Sequence, residues 1–138
     1  MEQTTSYAIL ATVALPYEEA LRRTRDELAR EGFGVLTEID VAATFRKKLG
    51  ATFRPYMILG ACNPPLAFRA LSAERDIGLL LPCNVIVYAA DEPDTSVVAA
   101  LDPVAALELT HNGRVLPIAE EVKGRLEKVV QAVQRISG

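Results

Sequence analysis

The sequence has no tryptophan, one histidine and two cysteines, and each scarcity removes a class of function. A single histidine, His111, cannot furnish a multi-histidine metal centre. It stands in a Thr-His-Asn-Gly turn without local partners, where a solvated side chain is the plain reading. Two cysteines in 138 residues do not make a disulfide scaffold. The loops that cradle phosphate or present a nucleophile are missing: there is no Gly-x-Gly-x-x-Gly, no Gly-Lys-Ser/Thr and no Gly-x-Ser-x-Gly. Charge of one sign is scarce too. Fifteen basic and eighteen acidic residues leave a net charge of −3. Arg22, Arg23 and Arg25 are interleaved with Glu18, Glu19, Asp26 and Glu27, and only Arg46-Lys47-Lys48 is purely basic. No nucleic-acid partner is expected of such a balance. The apolar run Tyr7–Leu15 is far shorter than the roughly 20 residues that span a bilayer, so no membrane partner is expected either. Met1-Glu2-Gln3-Thr4 lacks the basic start of a signal peptide, and the cytoplasm, with reduced thiols, is the expected location.

What is present is the composition of one folded domain, 1–138: 50% hydrophobic and 24% charged residues. Tyr7–Leu15 has the length and character of a central strand. After Pro16, the residues Tyr17, Leu21, Thr24 and Leu28 recur at helical spacing, and Gly32 supplies a stop, so a long helix is expected over 16–31. Gly34–Ile39 alternates as a strand with Val35, Thr37 and Ile39 on one face. Asp40 caps a short helix over Val41–Leu49 that Gly50 ends. Pro55–Ala61 reads as a strand, and Asn63 as the cap of a helix over Pro64–Leu71. Asn84–Ala89 and Ser96–Leu101 flank the turn residues Asp91-Glu92-Pro93-Asp94 and form an antiparallel hairpin. A brief helical segment starts at Asp102-Pro103.

The strongest periodicity lies at the end, where Val115, Ile118, Val122, Leu126, Val129, Val133 and Ile136 step by threes and fours. About three heptads suit a helix lying across a sheet better than a coiled-coil seam. Gly124 inside it reads as a place where another backbone could approach. The fold expected is α+β: one mostly antiparallel sheet with the two long helices packed on one face.

The residues with chemistry to offer sit in a repeated dipeptide. Cys62-Asn63 lies in Gly-Ala-Cys-Asn-Pro-Pro, and Cys83-Asn84 lies in Leu-Leu-Leu-Pro-Cys-Asn. If the strands beside them pair antiparallel, the end of one lies near the start of the other, and the two turns share one region. Cys62, Asn63, Cys83 and Asn84 are therefore the candidate binding residues. Three readings compete with burial as a small hydrophobe. A thiolate at the helix start after Cys62 would be reactive, although Pro64 and Pro65 remove two stabilising N–H groups. A redox disulfide lacks the close Cys-x-x-Cys spacing. A metal would find only half a tetrahedral site. Glu38 and Asp40, flanking Ile39, could do acid–base work or serve as a solvated side chain and a cap. Arg54 and Tyr56 could line a pocket or edge a strand.

Four segments also carry a likeness: Gly-Phe-Gly-Val-Leu-Thr-Glu-Ile-Asp (32–40), Lys-Lys-Leu-Gly (47–50), Pro-Tyr-Met-Ile-Leu-Gly-Ala-Cys-Asn-Pro (55–64) and Ile-Gly-Leu-Leu-Leu-Pro-Cys-Asn-Val-Ile-Val-Tyr (77–88). With them the chain resembles the bacterial and archaeal domain-of-unknown-function family 302. Ala89-Ala90 and Pro93 depart from the more acidic, Gly-containing hairpin of that family. The resemblance implies a single α+β domain of the TATA-box-binding-protein class, commonly a homodimer, and it brings no catalytic residues. The functional expectation is a non-enzymatic, homodimeric module with a small-molecule ligand and neither cofactor nor metal. The alternative is a thiol-dependent enzyme or redox protein using Cys62 and Cys83.

Overall fold

The computed structural model describes residues 6–137; the opening Met1–Thr4, read above for a signal peptide, lies outside them. The elements follow as β1 (Ala8–Val13), α1 (Tyr17–Arg30), β2 (Gly34–Asp40), α2 (Val41–Leu49), β3 (Tyr56–Cys62), α3 (Pro64–Ala73), β4 (Cys83–Ala89), β5 (Ser96–Leu101), α4 (Pro103–Leu107) and α5 (Leu116–Ser137). Short 3-10 segments occupy Arg75–Leu80 and Glu108–Thr110. The strands form one sheet in the order β1-β5-β4-β3-β2. Every pairing is antiparallel, so the expected mostly antiparallel sheet is wholly so.

Local chemistry explains the boundaries. At the end of α1, Gly32 takes φ +84, its N–H reaches the carbonyl of Ala29, and the Phe33 N–H reaches that of Leu28. These are the two bonds of a Schellman stop, which needs a left-handed residue at the glycine position. Asp40 accepts the Ala43 N–H at 2.9 Å to start α2, and Asp102 accepts those of Val104 and Ala105 to start α4.

Period-two alternation sorts the strands onto two faces. Ile9, Ala11 and Val13, Val98 and Ala100, Val85 and Val87, and Leu59 and Ala61 point into the core. Long helices α1 and α5 cover that face: α5 lies on β1 and β5, α1 on β4 and β5, and the helices touch each other. In α5 the side chains of Leu126, Val129, Val130 and Val133 are fully buried, so the helical stripe is spent on the chain's own sheet rather than on a coiled coil. Nothing lies within 4 Å of the place a Cβ would take at Gly124. The close approach expected there is absent, because that side of α5 faces open space.

One strand departs from its expected pattern. The pairings Val35↔Ala61 and Thr37↔Gly60 leave Leu36 without a partner, a β-bulge. The extra residue reverses the alternation. Val35 packs against the core with Ala61, while Thr37 and Ile39, opposite Gly60 and Ile58, point to the other face. Val35, Thr37 and Ile39 therefore do not share a face.

Candidate functional site

The register of the central strands brings the two cysteine turns together. β3 ends where β4 begins, with Ala61 paired to Cys83 and Gly60 to Asn84. At that end of the sheet lies a cleft of about 270 Å³, bounded by Cys62, Asn63 and Cys83 and by apolar side chains of six other segments. Phe33 and Leu36 close it on the β2 side, Leu66 and Ala67 come from α3, Leu107 from α4, and Ile118 and Val122 from α5. The bulge brings Leu36, which is 66% exposed, to this rim.

Each candidate has a different environment. Cys83 is buried among core residues, and that burial, with Cys62 nearby as a smaller cause, pushes its thiol up to about 11. A thiol so placed is protonated at neutral pH and is a poor nucleophile. Cys62 is half-buried, and both cysteines are free. Asn63 is buried, and its amide is already engaged: Oδ1 accepts the Leu66 N–H at 3.4 Å and Nδ2 donates to the Glu31 carbonyl at 3.4 Å. It caps α3 and ties that helix to the end of α1, whose Glu31 carbonyl also accepts from Arg125 Nη1.

Asn84 is not in the cleft. Cys83 points to the helical face, so its neighbour Asn84 points to the opposite one, where it is exposed and borders a shallow depression with Tyr7, Ile86 and Ala99. The pair of Cys-Asn turns therefore contributes three residues to one region and sets the fourth apart.

The remaining polar candidates are taken up by structure. Arg25 of α1 donates to both oxygens of Glu38, at 3.2 and 2.6 Å, and Asp40 is the cap of α2. Arg54 Nη1 donates to the Ala89 carbonyl and Nη2 to Asp91, bracing the hairpin edge. Tyr56 stacks on Tyr88 with ring centroids 5.1 Å apart. His111 ends a 3-10 turn at φ +50. Among the described residues no three of His, Cys, Asp and Glu gather as metal ligands would.

A family model described as "Domain of unknown function DUF302" matches residues 10–133. The chain belongs to this family. A crystal structure of an uncharacterized conserved DUF302 protein from Bacillus stearothermophilus is similar in sequence and shape. It is 27% identical, with a TM-score of 0.82 over 97% of this chain and 100% of the other. A comparison with curated proteins finds no match. Membership places the Cys-Asn-Pro and Pro-Cys-Asn segments within the matched region. The apolar walls of the cleft, by contrast, had no local signature: Phe33, Leu107 and Val122 are ordinary core residues in the sequence, and only folding brings them to one place.

Proposed function

We propose that this DUF302 domain is a non-enzymatic, homodimeric binding module that holds a small molecule in the cleft edged by Cys62, Asn63 and Cys83. One observation carries the reading: residues separated by most of the chain converge on an apolar concavity that includes three of the four turn residues. Ligand sites in small domains are concavities of this kind, mostly apolar with a few polar groups. The absence of an acid–base pair from the walls fits binding rather than catalysis. The thiol-enzyme alternative is the weaker reading: burial pushes the Cys83 thiol up, and Asn63, beside Cys62, is engaged as a cap.

The dimer is supported by the uncovered face of the sheet. Across all five strands a row runs Leu10, Ala99, Ile86, Ile58, Ile39, each pair in direct register. A second row runs Thr12, Val97, Tyr88, Tyr56. Neither row holds a charge, and no helix longer than α2 stands near either, since α1 and α5 occupy the other face. The residues of these rows range from buried Ala99 and Val97 to exposed Ile39. An uncharged apolar face of this kind suits an interface, and a two-fold homodimer is the commonest symmetric assembly. Among the described residues no helix is long and apolar enough to cross a membrane. A reducing cytoplasm is the compartment we propose, which suits two free thiols.

The test is a fragment titration of the labelled protein followed by amide NMR. Shifts confined to residues 61–67, 81–83 and 118–122 support the cleft. Shifts scattered over the surface, or none from any fragment, refute it.

A further inference from the structure

We infer that the cleft selects uncharged, compact hydrocarbon-bodied molecules and rejects organic anions and cations of the same shape. The inference rests on the cleft being a binding site and adds the chemical class of its occupant. Its ground is the chemistry of the walls. Among the described residues no Lys, Arg, His, Asp or Glu lines the cavity, and the polar side chains there are two thiols and one amide. The Asn63 amide already gives a hydrogen bond to the Glu31 carbonyl and takes one from the Leu66 N–H, so an ionic ligand group would find no counter-charge and little free hydrogen bonding. Three cations on the surrounding helices have carboxylate partners outside the cleft, and Arg125, whose Nε is buried without a hydrogen-bond partner, does not line it. Lys123 pairs with Asp102 at 3.0 Å, Arg69 with Glu121 at 3.6 Å, and Arg125 with Glu121 at 3.2 Å. Moving an unpaired ion into such a site costs far more than moving a hydroxyl.

Size narrows the class further. A dry apolar cavity of roughly 150 Å³ holds benzene, so a cavity of about 270 Å³ accommodates a saturated ring with a one-carbon substituent and has room left over. A long acyl chain would protrude past Leu36 and Leu71, which are the exposed apolar residues on the lining.

Three probes of one shape separate the outcomes: cyclohexylmethanol, cyclohexanecarboxylate and cyclohexylmethylammonium, each titrated into the full chain at pH 7 and followed by amide NMR. All three share one hydrocarbon body, so a difference in affinity reports the head group. The expected result is that the alcohol binds at least about tenfold more tightly than either ion, with shifts at Cys62, Ala67, Cys83 and Val122. An ion binding as tightly as the alcohol at those residues overturns the inference while leaving the cleft as a site. No binding by any of the three overturns both. Ala67→Leu, a half-buried helix position that leucine suits, fills the cavity and is expected to abolish the alcohol's shifts while the remaining spectrum stays native. If that variant fails to fold, Cys62 alkylation in the unaltered protein gives a second reading. The alcohol should slow labelling at Cys62 by several-fold and the two ions should not, and equal slowing by all three counts against the inference.

Discussion

At the residue scale, the turn cysteines differ through burial, and their chemistry should differ with it. Cys83 has its thiol pushed up to about 11, above an ordinary value near 9. A group whose folded pKa is raised contributes stability in its protonated form. The contribution is complete below the unfolded pKa and is lost as pH rises from about 9 through about 11. A two-unit shift is worth about 2 to 3 kcal/mol at most. Tyr17, held up to about 12 by burial and then by Asp40, titrates in an overlapping range with the same sign, so the cysteine must be isolated by difference. Denaturant unfolding at pH 8 and pH 10.5 should show the unaltered chain losing about 1 to 2 kcal/mol more than Cys83→Ala. Equal losses would place the Cys83 thiol in water. Gly60 is a second residue-scale test. A Cβ there would run into Thr37 Oγ1 and lie 3.0 Å from the Pro82 ring. Gly60→Ala should cost roughly 1 to 3 kcal/mol. Adding Thr37→Ala, at an exposed position, should return part of that loss in a double-mutant cycle.

At the element scale, what the sequence shows depends on how local the cause is. Caps and stops are local: Gly32, Asp40, Gly50 and Asn63 act within four residues of themselves, and each ends or starts the helix their types predict. The bulge at Leu36 is not local. It follows from Thr37 seating opposite Gly60, a residue 23 positions on, and no alternation count along β2 could have shown it. The same distinction governs the site, where Cys62 and Cys83 were visible as turn residues but Phe33, Leu107 and Val122 were not. Asn84 lies apart from the cleft because adjacent residues of a strand point to opposite faces. Two helix substitutions follow. Asn63→Ala removes the cap of α3 and the bond to the Glu31 carbonyl, and thermal denaturation should show a loss of about 1 to 2 kcal/mol. No loss would free the amide for a ligand. In α5, Gly124 faces open space without a left-handed φ. Gly124→Ala should therefore stabilise the fold by about 0.5 to 1 kcal/mol, read from the urea midpoint, and destabilisation would mean that another body approaches the helix there.

At the scale of the whole molecule, the two faces of the sheet pose different problems. One is covered by α1 and α5, with the cleft at its β3–β4 end. The other presents the row Leu10, Ala99, Ile86, Ile58, Ile39, which neither α1 nor α5 covers and which only the short α2 approaches, at its β2–β3 end. Ile86 sits in the middle strand of the five, so a two-fold axis near the sheet centre would bring it close to its own copy. A stable interface of standard size buries about 1,200 to 2,000 Å² in total. Sedimentation of the unaltered chain at micromolar concentration should give twice the 15.0 kDa mass. Ile86→Asp should give the single-chain mass with the circular dichroism unchanged. The substitution sets two carboxylates against each other in an apolar interface, where an unpaired charge costs several kcal/mol, yet in a monomer the same side chain stands in water and disturbs little. Because the cleft lies beyond the opposite face, the monomeric variant should still bind cyclohexylmethanol. A monomer before any substitution would remove the dimer, and an Ile86→Asp dimer would move its interface off this face.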